Sequence, residues 1–333
     1  MFMADTSSAP SAPSVTADEV EHLVLMATRA PSVHNTQPWR FSRITGGLLV
    51  GQDRTRQLSV IDPDGRELLL SCGAAIHHLT VAARALGIDT EVALLAPGKE
   101  RDAIARIGLT HGAAATHAEV ATAVAILHRH THRGRFSDEP LQGNALDQLR
   151  VAVEREHAML RVVRDDELVE VEVLVSRAEH ALQQTPGYSK ELARWVWHGD
   201  EEDRSDGLPL EAVDHGTDRA ESLEGRQFSG HAAARPDEPP AAEHPIVVLL
   251  STPADTPDDW LQGGRALSAL LLRATELGVV AQPMGQVMDI PASRQALAEL
   301  LGIVGAPQMV LRLGRGTSTP ASPRRPLEDF LPA

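Results

Sequence analysis

The sequence predicts an α+β fold in which helices and short strands interleave in two related halves of one chain. Three observations lead there. First, 333 residues with 42% apolar composition suffice to bury one large core or two smaller ones. Second, segments that read as strands (39–50, 105–109, 159–163, 245–251 and 308–313) are interleaved with segments of helical period. Third, one helical figure occurs twice, from Gly73 to Gly87 and from Gly264 to Gly278, with fourteen steps between the glycines each time. Ala75, Leu79, Ala83 and Leu86 of the first match Ala266, Leu270, Ala274 and Leu277 of the second. Buried helices share composition without shared ancestry, so coincidence and duplication both fit the match. Duplication implies an intramolecular pseudo-dimer with a ligand site drawing on both halves.

Residues 1–15 are Ser, Ala and Pro without a basic, apolar, small-residue order, and are expected to form a disordered tail. Thr16 and Glu19 make a capping box, and Val20, Leu23, Val24 and Ala27 carry a helix toward Pro31. Trp39 and Phe41, the Gly46-Gly47 turn, and Leu48 and Val50 read as a hairpin. The Ala-rich helix ending at Gly87 follows, then strands at 90–95 and 105–109, closing a first half over 16–117. The second half, 118–333, contains a long insertion at 186–245, rich in Gly, Pro and charge. That composition suits a solvated linker. Four of the ten aromatic residues lie inside it, however, which favours a packed insertion and makes Tyr188, Trp195 and Trp197 candidate lid residues, with Phe228 the fourth aromatic.

Composition narrows the partners. A net charge of -15 opposes a nucleic-acid backbone or an anionic membrane, and no apolar run was expected to reach the length of a bilayer span. A small-molecule ligand is the expected partner. The single cysteine, Cys72, excludes an intrachain disulfide, suits the cytoplasm and reads as core filling.

Chemistry concentrates in a few segments. Between Pro31 and Pro38 the residues Ser32, His34, Asn35 and Gln37 sit on a stiff connector that could grip a polar planar ligand or simply cap a turn. His128 to Arg135 packs three arginines and three histidines into eight residues of an acidic chain. Guanidinium forks and the Thr131 hydroxyl suit a phosphate, each charge-assisted bond contributing about 1.5 to 3 kcal/mol. A solvated basic face fits the same spacing, whereas the neighbouring arginines would repel a metal, so no metal site is expected. Gln282, Pro283, Met284, Gly285 and Gln286 read as an extended turn with free backbone N–H groups, and Arg324 and Arg325 lie near the C-terminus. No hydrolase elbow, Cys-x-x-Cys pair or zinc-protease helix is present.

Together these segments resemble the flavin-dependent nitroreductase superfamily, most closely its Acg-type branch of long single chains with two nitroreductase-like halves, over residues 20–330. The strongest mark is Ala-Pro-Ser-Val-His-Asn-Thr-Gln-Pro-Trp at 30–39. The resemblance implies a nitroreductase-like fold and an FMN site: Pro31, Ser32, His34, Asn35 and Gln37 from the first half, Arg129, His130, Thr131 and Arg133 at the phosphate, ribityl chain and ring. It further implies Gln282 to Gln286 beneath the ring, with Arg324 and Arg325 completing the phosphate pocket. The first half has no Arg-x-Ser-x-Arg segment and the second carries the insertion where its Pro-Ser loop would be, so one FMN per chain and a monomer mimicking a homodimer are expected. The implied activity is NAD(P)H-dependent reduction of nitroaromatic or quinone-type acceptors, with no side chain acting as base. The alternative is a flavin-sequestering or sensing protein whose lid seals FMN away from turnover.

Overall fold

A computed structural model describes residues 14–95, 102–197, 204–209, 243–317 and 321–332. Most of the expected tail and most of the insertion, Phe228 included, lie outside the described residues.

Helix α1 (Ala17–Ala27) starts at the expected capping box: the Thr16 hydroxyl accepts the Glu19 N–H, and the Glu19 carboxylate accepts the Thr16 N–H at 2.8 Å. A 3-10 turn over Val33–Asn35 leads into the hairpin of β1 (Trp39–Ile44) and β2 (Gly47–Gln52). Helix α2 (Arg66–Ala85) and strands β3 (Ile88–Leu94) and β4 (Ala103–His111) complete an antiparallel sheet of order β1-β2-β4-β3. Helix α3 (His117–His128) leads to the basic segment.

Helix α4 (Ala145–Arg155) and strand β5 (Met159–Val162) come next. Helices α5 (Asp165–Gln184) and α6 (Tyr188–Ala193) follow, then β6 (Val196–Trp197), which pairs with β7 (Leu208–Pro209). Strand β8 (Ile246–Thr252), α7 (Pro257–Glu276), β9 (Val280–Met284), α8 (Gln286–Asp289), α9 (Pro291–Leu300) and β10 (Ala306–Gly314) close the chain's second antiparallel sheet, of order β5-β8-β10-β9.

Three expectations are corrected. The segment at 278–286 is an edge strand and a helical turn rather than an extended turn, because Val280 to Met284 pair with Gly314 to Val310; Pro283 is tolerated at this edge. Helices α2 and α7 begin at Arg66 and Pro257, seven residues before Gly73 and Gly264. The polar starts hid this: Arg66 and Glu67 are buried as an ion pair. Finally, α2 is long and apolar enough to cross a membrane, with mean hydropathy 1.3, yet 78% of that window is buried inside the protein.

Helices α2 and α7 cross where their glycines meet. A Cβ on Gly73 would lie 2.0 Å from the Leu261 carbonyl oxygen, and one on Gly264 would lie 1.9 Å from that of Leu70. Only hydrogen side chains permit this approach. One core packs on the first sheet around Trp39, Phe41, Ile76 and Ile107, and contains fully buried Cys72; two others flank the second sheet. The C-terminal segment returns to the first sheet, where Phe330 packs against Trp39 and its carbonyl accepts the Phe41 N–H at 2.7 Å.

Candidate functional site

The connector after α1 is held in a costly conformation. His34, Asn35 and Gln37 all have positive φ, at 45°, 55° and 50°, where side chains other than glycine are disfavoured. Tertiary bonds hold it there: the Ser71 hydroxyl on α2 accepts the Val33 N–H at 3.1 Å, and the Ser32 hydroxyl accepts the Gln37 N–H at 3.0 Å. Arginine only donates, so Arg324 bonding Asn35 Oδ1 at 3.1 Å turns the Asn35 amide nitrogen toward the Gly207 and Pro323 carbonyls. Asn35 thus joins the first half, the insertion and the C-terminal segment.

The basic segment arrives from the other side. It runs beside β9, with the His132 N–H bonded to the Ala281 carbonyl at 2.9 Å and a bridge between Thr131 and Ala281. Two adjoining cavities result, sharing Pro31, Ser32, Thr131, Arg133 and Leu208. One is walled by Arg29, Asn35, Arg129, His130 and Arg324; the other by His34, Glu67, Ser71, Gln282, Pro283, Gly285 and Gln286, over apolar Leu70, Leu267 and Met309.

The first cavity carries concentrated positive charge, and no Asp or Glu lines it among the described residues. Arg129 is buried; its Nη2 reaches the Arg29 carbonyl at 3.3 Å, while Nε and Nη1 have no hydrogen-bond partner among the described residues. Arg133 has no hydrogen bond or ion pair among the described residues. Arg324 is spent on the carbonyls of Thr28, Arg29 and Ala30. Burial, then the charges of Arg129 and Arg29, push Arg324 down to about 9; burial, then Arg133, push Arg129 down to about 10; burial alone brings Arg133 to about 10. His130 is lowered by burial and then by Arg129. Unanswered buried N–H donors amid mutually repelling cations are the donor set an oxyanion satisfies, so these residues fit a phosphate group.

The second cavity combines apolar Leu70, Leu267 and Met309 with polar side chains. Glu67 is buried and bonded to Arg66, which also donates to the backbone and side chain of Gln308. Behind it, the Asp62 carboxylate accepts the Glu67 and Leu68 N–H groups at 3.0 and 2.9 Å, and burial, then the Glu67 charge, raises it to about 7.

Most expected site residues meet at these cavities, and three do not line them. Gln37 is fully buried, its amide donating to the Ser205 carbonyl at 2.9 Å and accepting the Arg325 N–H at 3.0 Å. Arg325 pairs with Asp329 at 3.0 Å and lies over the Phe330 ring. Met284 packs in the core with Val287 and Met288. None of the expected lid aromatics lines either of these two cavities: Tyr188 is buried with Leu58, Ile61, Leu182 and Leu192, Trp195 stacks on Arg56, and the Trp197 indole donates to the Asp206 carbonyl at 3.0 Å. Leu208, from the same insertion, does line both. Glu67, Ser71 and Leu208 went unnoticed in the sequence, because a helix start and an isolated leucine carry no periodic signal.

No protein-family model matches the chain. A Mycobacterium tuberculosis H37Rv protein named "Putative NAD(P)H nitroreductase Rv3131" is 34% identical over 321 residues, covering 95% of this chain and 91% of that protein. Another from the same organism, "Putative NAD(P)H nitroreductase acg", is 30% identical over 321 residues, covering 95% and 96%. Among solved structures, a nitroreductase with bound FMN from Desulfitobacterium hafniense DCB-2 aligns with TM-score 0.38 and 15% identity, over 63% of this chain and 95% of that one.

Proposed function

Because the chain belongs to the nitroreductase family of its Mycobacterium tuberculosis relatives Rv3131 and acg, we propose that it binds one FMN and uses NAD(P)H to reduce nitroaromatic or quinone-type acceptors. The observation that carries the reading is the buried Arg129, with two nitrogens that have no partner among the described residues, beside a second cavity lined by both apolar and polar side chains. Arg129, Arg133 and Thr131 would hold the phosphate and ribityl chain, with Arg324 adding its charge while bracing the wall through Asn35 and the Thr28, Arg29 and Ala30 carbonyls. Pro31, Ser32, His34, Gln282, Pro283, Gly285 and Gln286 would enclose the ring. When bound, the flavin supplies the two-electron chemistry. The chain's own part is to orient the ring, exclude water and set the charge around it; Arg133 stands where both cavities meet and stabilises negative charge at either. The purified chain is expected to be yellow, and FMN fluorescence to be quenched on binding. A colourless chain that leaves added FMN fluorescence unchanged would sink the reading.

Two finer readings have support. The sheets share one order and one pairing sense when β1, β2, β3 and β4 are matched to β5, β8, β9 and β10, and the intervening helices are both twenty residues long. This supports two duplicated halves, 16–117 and 118–333, docked as an intramolecular pseudo-dimer. A further cavity lies beside α2 and α7, but it is lined by the carboxylates of Asp147, Glu156 and Glu276, and Glu156 pairs with Arg265 at 2.9 Å and approaches His77 at 3.8 Å, a charge pattern that does not suit a phosphate. That supports one flavin per chain and a monomer.

The strap of residues 204–209 favours the sequestering alternative. It is held by the Arg56–Asp206 ion pair and by Gly207 on Asn35, with Leu208 over both cavities. Asp206→Ala distinguishes the two in anaerobic stopped flow with NADPH. A sealing strap gives slow flavin bleaching in the parent and a rate at least tenfold higher in the variant; an open site bleaches rapidly in both.

A further inference from the structure

The fully buried central strand β10 carries one arginine, Arg312, between leucines 311 and 313. A desolvated guanidinium is costly unless its bonds are met. Arg312 stands directly across from Gln282 in the β10–β9 register, and its Nη1 donates to Gln282 Oε1 at 3.1 Å. Its Nη2 donates to Glu243 at 2.9 Å, and its guanidinium lies over the Phe136 ring at 4.8 Å. Glu243 is in turn paired with Arg135 at 3.3 Å.

Because arginine has donors and no acceptor, this contact settles which end of the Gln282 amide faces inward. The carbonyl oxygen is committed to Arg312, and the amide nitrogen, which has no partner among the described residues, is the end left for the cavity that Gln282 lines. We infer that Arg312 is a positioning residue: it holds Gln282 so that the cavity wall presents a hydrogen-bond donor, which binds the reduced ring, richer in negative charge, more tightly than the oxidised one. The inference rests on the flavin reading above and extends it to a residue that touches no ligand.

The test is the two-electron midpoint potential of bound FMN, with FMN affinity measured alongside by fluorescence quenching. Arg312→Met is combined with Glu243→Gln, so that the net charge is unchanged. The double variant and Gln282→Leu are each expected to lose about tenfold in preference for reduced over oxidised FMN, a fall of about 30 mV. Adding the double variant to Gln282→Leu is expected to produce no further fall. Should the double variant fail to fold, Gln282→Glu keeps the Arg312 contact while presenting only acceptors, and its potential must also fall. An unchanged potential in these variants, or a full second fall in the combination, overturns the inference while leaving the flavin reading intact. A parent chain that takes up no FMN overturns both.

Discussion

At the residue scale the molecule spends stability on its site. Arg129, Arg133 and Arg324 are brought together with their basicity depressed by burial, and for Arg129 and Arg324 by neighbouring guanidiniums as well, and three side-chain-bearing residues of the 32–37 connector adopt positive φ. An anion relieves the first cost. Arg324→Ala removes the guanidinium that organises Asn35 and the Thr28 to Ala30 carbonyls. It is expected to weaken FMN by about 1.5 to 3 kcal/mol, roughly 10- to 150-fold, in a fluorescence titration. Asp62 gives a stability signature independent of ligand. Its folded value near 7 lies above the ordinary 3.8, so it stabilises the fold fully below the lower value, and that contribution is lost as pH rises through the higher one. Asp62→Asn is accordingly expected to flatten the profile of Tm against pH between those values. An identical slope in parent and variant would place the titration elsewhere.

At the scale of elements, the crossing of α2 and α7 is the joint on which the site geometry depends. Glu67, Leu70 and Ser71 reach the second cavity from α2 and Leu267 reaches it from α7, so separating the helices moves its lining. A methyl at Gly264 would meet the Leu70 carbonyl carbon and oxygen, backbone atoms with nowhere to go. Gly264→Ala is expected to cost about 3 kcal/mol in denaturant unfolding and to weaken FMN as well. Gly143→Ala, with nothing within 4 Å, is the comparison for local strain alone. The glycines and helical period were legible in the sequence. Their contact was not, since two identical patterns say nothing about which faces meet.

At the scale of the whole molecule, the net charge of -15 coexists with a buried basic cavity, so long-range repulsion of an anionic ligand opposes strong local attraction. The residues before and after position 117 are unequal in the groups they contribute. The connector comes from the former; the basic segment, β9 and the returning C-terminus come from the latter. Titration of ligand-free chain with FMN is expected to saturate at one flavin per chain by absorbance, and light scattering of the loaded protein to give a mass near 35.8 kDa. Two flavins per chain, or a doubled mass, would break the pseudo-dimer reading.

Local physics explains which features the sequence determined by itself. Capping at Thr16, the Gly46 hairpin, the helical figure ending at Gly87 and the polar connector follow from backbone preference and short-range spacing, and the motif at 30–39 identified the family. Whether a given polar residue lines a cavity or ties the scaffold together was decided only in three dimensions. Gln37 and Arg325 became ties, Asn35 became both tie and wall, and Glu67, Ser71 and Leu208 became walls. Sequence spacing constrains residues a few positions apart. The Asn35–Arg324 and Gln282–Arg312 contacts instead depend on which buried donors and acceptors remain unmatched after the cores pack, a competition over the whole folded chain.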